Sequence, residues 1–389
     1  MKFKEIQLGN LFEAKYGKSL PKNQRRDGNI KVYGSGGISG YHDTALVKGP
    51  GIVIGRKGTV GSLYYEKQDY FPIDTTYYIE KSDKYDLKYI FYLLNTLNLN
   101  KMNTHSAVPG LNRENLYSLM AKVPEKKYQI KISEFLQQLD SKIEINNQII
   151  SNLEELASTL FKRWFVEFEF PDENGNPYKS SGGKMVDSEL GKTPEGWEAT
   201  SLSDIANYKN GLAMQKFRPD EDEESLPVLK IKELNQGFTD SNSDRCSIDI
   251  SDEVKIENGD VVFSWSGTLL VKIWTGGDAG LNQHLFKVTS NKFPKWYYYL
   301  WTKFYMNKFI GIAKDKATTM GHIKRQHLNE AKVLIPSFDM LEKFGKVLGP
   351  TIDMVTEKGI ENLELSNLRD SLLPKLLSGE IELPEDEEV

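Results

Sequence analysis

Gly17-Lys18-Ser19 and Gly191-Lys192-Thr193 end as phosphate-binding loops end, yet the glycine needed five positions ahead is Phe12 in one and Val186 in the other. Neither forms a nucleotide site. Asn176-Pro177-Tyr178 falls one proline short of an adenine-methylating tetrad and lies in a Gly/Ser/Asp-rich stretch without a glycine-rich cofactor turn before it. Pro219-Asp220 followed by Glu253-Val254-Lys255 has the letters of a metal-dependent nuclease, but the aspartate opens an acidic run and the spacing is loose. Of the five histidines, only His322 and His327 approach a metal-ligand spacing, and they lack a second pair of ligands. Cys246 is the only cysteine, which excludes a disulfide framework and a cysteine zinc site and fits a reducing, cytoplasmic compartment. These residues predict a chain without a catalytic centre. A nuclease or methyltransferase acting through Glu253 or Asn176 is the alternative, and a coiled-coil interaction protein that binds no DNA is a second.

The elements that must position any functional residue are more regular. Between Lys126 and Phe165, the residues Ile132, Leu136, Leu139, Ile143, Asn146, Ile150, Leu153, Ala157, Leu160 and Trp164 are spaced alternately four and three apart, with no Pro or Gly between them. That is the seam of a coiled coil about 60 Å long, with Asn146 as a register device. A partner is encoded further on. Leu116, Leu136, Leu153, Leu156 and Leu160 recur 212 residues later as Leu328, Leu348, Leu365, Leu368 and Leu372. Upstream, Phe3, Leu8 and Gly17 recur after 194 residues as Trp197, Leu202 and Gly211, and Gly58-Thr59 recurs after 209 as Gly267-Thr268. The chain reads as a tandem duplication, each copy a globular module followed by a long helix. Gly345, Gly349, Pro350 and Gly359 predict interruptions in the second helix.

With 389 residues and 39% hydrophobic content, the chain can form two cores of ordinary domain size. The start MKFKEIQLGN has no apolar signal core and no run approaches eighteen apolar residues, so neither secretion nor membrane insertion is expected. The net charge of −5 hides an uneven distribution, because eleven acidic residues cluster at Asp220–Glu224 and Glu380–Glu388. The remainder is basic enough to meet nucleic acid.

The modules' polar loops supply candidate contacts. In the first copy these are Arg25, Arg26, Lys31, Tyr33 and Ser35 around a glycine-rich turn, Arg56, Lys57 and Thr59 after a short strand, and His105 and Arg113 before the closing strand. Cations beside glycines suit phosphate contact. The second copy offers Lys216 and Arg218, then Trp265, Ser266 and Thr268, Asn282, Gln283 and His284, and finally Thr318, Thr319, Lys324, Arg325 and Gln326. A shared framework with changed loops is the pattern of two readers of different ligands, and these side chains suit base edges. Trp296 to Trp301 repeats the helical spacing of Tyr89 to Leu94, so it is expected in the core. Leu160, Phe161, Trp164 and Phe165, with Leu372, Leu373, Leu376 and Leu377, exceed what a two-helix seam can bury and are expected on a partner-docking surface.

Leu153-Glu154-Glu155-Leu156, Leu160 to Phe168, Ser181 to Gly191 and Pro194 to Trp197 resemble the central conserved region of type I restriction-modification specificity subunits, and Leu368 to Ile381 resembles the distal one. Tyr33 to Ile38, Gly55 to Gly61 and Val108 to Leu111 are similar to a recurring target-recognition domain. The resemblance implies an α/β chain of two mixed α/β target-recognition domains in tandem, joined by two long helices forming an antiparallel coiled coil. The expected limits are a first recognition domain at 1–124, a central helix at 125–170, a linker at 171–196, a second recognition domain at 197–336, a distal helix at 337–379 and an acidic tail at 380–389. It also implies a subunit without catalytic activity or cofactor of its own, which reads a split site in double-stranded DNA. Two methyltransferase subunits using S-adenosylmethionine would dock on the helices, joined by restriction subunits using ATP and Mg.

Overall fold

A computed structural model describes residues 2–102, 110–315 and 321–384. His105, Thr318 and Thr319, the Ser106–Pro109 stretch and the final acidic residues lie outside them. The described chain forms two compact units, residues 1–141 with 366–389 and residues 142–365, so each unit receives part of both long helices.

The duplication read from leucine spacing is written into the topology. In the first unit, Lys15–Tyr16, Thr76–Glu80, Gly51–Gly55 and Leu63–Glu66 lie in that order in an antiparallel sheet. Beside it, Ile30–Gly34 pairs antiparallel with Gly37–His42 and parallel with Tyr70–Pro72, while Phe3–Gln7 pairs with Met120–Pro124. The second unit repeats this order with Asn207–Asn210, Leu285–Thr289, Val261–Ser264 and Leu270–Ile273. Its other sheet, here also of four strands, again contains one parallel pair, Ser225–Leu229 with Ala279–Leu281, and Glu198–Ser201 closes on Lys332–Ile335. The central strands Gly51–Gly55 and Val261–Ser264 are buried at every position, as expected of strands covered on both faces. Gly17 and Gly211 show why the copies share a glycine. A Cβ there would lie 2.1 Å from the Ile73 carbonyl oxygen or 2.2 Å from that of Leu281. The second copy adds a short helix, Ile231–Gln236, between strands that a tight turn joins in the first.

The two long helices are Lys126–Phe165 and Phe338–Ser378. Every seam position predicted in the first is buried or half-buried. Within the second unit, the Asn146 amide donates to Asn362 Oδ1 at 3.0 Å, and the Trp164 ring stacks on Phe344 at 5.1 Å. As one helix ascends the other descends, so the pair is antiparallel. The second helix is unbroken, contrary to the interruptions its glycines and proline predict. Packing decides the matter: a Cβ on Gly345 would sit 3.3 Å from Trp296 Nε1, and one on Gly359 would overlap Thr275, so these glycines admit neighbouring side chains to the helix surface.

Each unit surrounds its helix ends with core. Ile132 and Leu136 join Leu376 and Leu377 under the first unit's sheet. Phe161, Trp164 and Phe165 belong to the aromatic core of the second, where helix Lys295–Asp315 buries Trp296 through Thr302 without interruption. That burial confirms the core assignment of Trp296–Trp301. It also corrects the expected docking role of the helix ends: Phe165, Leu376 and Leu377 are at most 5% exposed. Leu160, Leu372 and Leu373 are partly buried against the same cores. The surplus apolar surface is consumed by the chain's own domains.

Candidate nucleic-acid interface

In the first unit, the chain leaves strand Gly51–Gly55 through a turn in which the Arg56 and Lys57 amides donate to the Thr75 carbonyl at 2.9 and 3.2 Å. The Leu111 amide donates to the Arg56 carbonyl at 2.8 Å, and Lys57 forms a β-bridge with Gly110. This double anchoring fixes the backbone and leaves Lys57 and Thr59 exposed at the apex. Ser35 is buried beneath it, its hydroxyl donating to the Lys57 carbonyl. Two guanidinium groups converge on one ring, Arg56 at 5.0 Å and Arg113 at 4.9 Å from the Tyr16 centroid. Arg56 also donates to the Asp74 carbonyl at 3.2 Å. Arg113 begins the helix Arg113–Ser118, and its Nε is buried without a partner among the described residues. Two like charges on one aromatic ring are tolerated by its quadrupole, and together they favour an anion nearby.

The second unit repeats the construction with other letters. Strand Val261–Ser264 runs into Trp265 and Ser266, which forms a β-bridge with His322, while the Gly267 amide donates to the Gly321 carbonyl at 3.0 Å. Lys57–Gly110 and Ser266–His322 are thus the same bridge in the two copies. Arg325 occupies the repeat position of Arg113; its guanidinium lies 5.6 Å over the Phe286 ring and donates to the Tyr208 carbonyl at 3.0 Å. Ser266 and His284 Nδ1 are 3.2 Å apart, and the Trp265 ring lies 5.9 Å from that of His284. Thr268, Gln283 and Lys324 are exposed around them. Hydroxyl, imidazole, carboxamide and ammonium groups on one anchored loop cluster can donate to and accept from base edges.

Other residues expected at the interface are engaged within the fold. Arg25 donates to the Ser39 carbonyl at 2.7 Å, and Arg26 forms a two-pronged pair with Asp43. The Arg26 bond holds the Asp43 carboxyl down to about 2, with help from Thr44. Lys31 and the buried Tyr33 hydroxyl both donate to Glu66, at 2.9 and 2.8 Å. Burial alone would raise the Glu66 carboxyl, but these bonds and the Gln68 amide hold it below its ordinary value. Tyr33 and Ser35 are buried and support the loop. Gln326 is engaged with Glu330 at 2.6 Å. Lys216 and Arg218 are exposed. Tyr16 was not anticipated, because no spacing connects it to Arg56 and Arg113.

The residues of the weak catalytic patterns have structural surroundings of their own. Gly17 is a sheet-packing glycine and Gly191 turns the hairpin Met185–Pro194. Tyr178 stacks on Phe170 at 4.5 Å, and Glu253 is ion-paired with Lys209. Among the described residues, no group of three His, Cys, Asp or Glu is placed to hold a metal. No helix among them is long and apolar enough to cross a membrane.

Residues 1–155 and 194–364 match the family described as the type I restriction modification DNA specificity domain. The MjaIX specificity subunit of Methanocaldococcus jannaschii is 25% identical over 311 residues, covering 77% of this chain and 70% of that protein. The HindI specificity subunit of Haemophilus influenzae is 24% identical over 328 residues, covering 70% and 71%. In structure, the chain superposes on the S subunit of a type I restriction-modification system from M. genitalium with a TM-score of 0.60 and 16% identity, covering 99% of this chain and 97% of that one, which is a likeness of fold.

Proposed function

The chain belongs to the type I restriction-modification DNA specificity family, and from that premise we propose that it is the non-catalytic subunit that reads a two-part DNA target, one half with each unit. The observation that carries this reading is the repeated bridge: Lys57–Gly110 and Ser266–His322 anchor equivalent loops whose exposed side chains differ. Equivalent anchoring with different readout groups gives two recognition surfaces with separate preferences. Arg56, Lys57 and Arg113 contact phosphate in the first half-site, and Trp265, His284, Gln283 and Lys324 serve the second. Cations on a fixed turn position the duplex, while the neutral donors and acceptors specify bases.

The antiparallel helices set the gap between the half-sites and carry the methylating subunits. Ile145, Leu156, Val347 and Met354 are exposed apolar residues on their surfaces. They support docking there, in place of the buried residues at the helix ends. Two methyltransferase subunits supply S-adenosylmethionine and extrude one adenine from each half-site. Restriction subunits bring ATP and Mg to the same assembly. Replacing Arg56 and Lys57 by Ala in the assembled methyltransferase tests the reading. Affinity for target DNA should fall, and the slope of log affinity against log salt should become shallower by about 2, one for each lost phosphate contact. Unchanged affinity and slope would remove these residues from the interface.

A further inference from the structure

A cavity of about 300 Å³ opens in the second unit, with Asn282, the neighbour of Gln283 and His284 in the loop cluster, in its lining. Met214, Val228 and Asn282, all more than nine-tenths buried, lie at its floor. Asn282 Oδ1 accepts the His284 amide at 3.3 Å, while its NH2 has no partner among the described residues. The rim is cationic. Arg245 is held by Ser225, with Nε 3.0 Å from the hydroxyl, Lys230 is ion-paired with Asp244, and exposed Arg218 stands beside them. Three cations face a single carboxylate, so the rim carries a surplus of positive charge.

We propose that this cavity binds a phosphorylated nucleoside, with the base on the Met214–Asn282 floor and the phosphate at Arg218, Lys230 and Arg245. The size lies at the lower end of small-ligand sites, and the arrangement of apolar walls, one convergent amide and a charged rim is that of such a site. A bare anion would leave the floor unused, and a neutral base would leave the rim uncompensated. A purine offers both a ring to pack on Met214 and Val228 and an acceptor for the Asn282 NH2. The nucleotide comes either from a DNA strand, as a unit turned out of the stack, or from solution as a free mononucleotide. The strand source rests on the proposed DNA-reading function; the free source does not.

Titration of the full chain with 2′-deoxyadenosine 5′-monophosphate, with 2′-deoxyadenosine and with inorganic phosphate tests the site. The monophosphate should bind more tightly than either fragment. Arg218→Gln removes one charged contact, and Asn282→Asp keeps the acceptor for His284 while replacing the donor that meets the base. Each should weaken the monophosphate about tenfold. Thermal unfolding of both variants checks that they fold, and Arg218, being exposed, is the one expected to leave folding untouched. The proposal is overturned if the monophosphate binds no better than inorganic phosphate, or if both folded variants bind it as the unchanged chain does. A duplex carrying the motif methylated by the assembled complex then distinguishes the sources: competition with the monophosphate assigns the cavity to a strand nucleotide, and simultaneous binding assigns it to a free one. Duplex affinity measured in the same series reports separately on the DNA-reading function, so a cavity that fails leaves that reading standing.

Discussion

Asp140→Ala should destabilise the first unit without disturbing the second. Asp140 accepts from Arg369 on the opposing helix at 2.9 Å and from the Tyr92 hydroxyl on the core helix Leu87–Thr96, so one carboxylate ties both long helices to the domain. The Asp140 and Arg369 side chains are 29% and 28% exposed, which places the pair between a surface ion pair and a buried one. Arg369 also keeps Asp370 as a partner at 2.8 Å. Losing a charge-assisted bond to each neighbour, discounted for that exposure, costs about 2 kcal/mol. At about 2–4 °C per kcal/mol for a unit of this size, calorimetry should show its transition about 4–8 °C lower. The sequence provides an internal control: all six tryptophans, Trp164, Trp197, Trp265, Trp274, Trp296 and Trp301, fall within residues 142–365, so tryptophan fluorescence follows the second unit and should keep its midpoint. Tyr92→Phe should cost about 1 kcal/mol, and a double-mutant cycle on Asp140 and Arg369 should return about 1 kcal/mol of coupling. Additive effects across that cycle, or a fluorescence transition that moves as far as the calorimetric one, would refute the reasoning.

Phe165→Ala should have the opposite signature. Its fully buried ring lies within 5.3–5.7 Å of Trp197, Tyr297 and Phe344, so the cavity costs about 3–5 kcal/mol and the tryptophan fluorescence midpoint should fall. Replacing Asn146 and Asn362 together by Leu exchanges a polar pair between a buried and a half-buried residue, in which Asn146 Oδ1 has no partner among the described residues, for apolar contact. Denaturant unfolding should show unchanged or higher stability by about 1 kcal/mol, while cysteine crosslinking along the helices should reveal more than one register. The Asp43 carboxyl should titrate near 2 by NMR and return towards 3.8 in Arg26→Gln. Because its folded value is depressed, the contribution of that pair to stability is present above 3.8 and is lost as pH falls towards 2.

The long periods were legible and the local supports were not. A heptad seam depends on residue type at fixed spacing, so Ile132 to Trp164 announces its helix, and the same leucines at a constant offset announce the duplication. The second helix misled because helix propensity treats Gly345 and Gly359 as costs, whereas Trp296 and Thr275 fill the space those glycines leave. Phe161, Trp164 and Phe165 misled in a related way: a surplus of apolar residues at a helix end indicates burial but does not say against what, and the second unit's own core covers them. At the candidate interface, glycine-flanked Arg56 and Lys57 could be read from the sequence. The Tyr16 platform between Arg56 and Arg113 could not, since sheet topology alone brings those three residues together. Lys31, Tyr33 and Arg26 have the letters of DNA contacts, but Glu66 and Asp43 engage them, and partner identity is not written in spacing.

The central claim is that each unit reads its own half of the target. Exchanging residues 1–124 for the corresponding domain of a different specificity subunit, then mapping methylated adenines in DNA modified by the assembled complex, tests it most directly. The account predicts a motif in which one half changes while the other half and the gap between them persist. A motif in which both halves change together, from a folded and methylating complex, would contradict it.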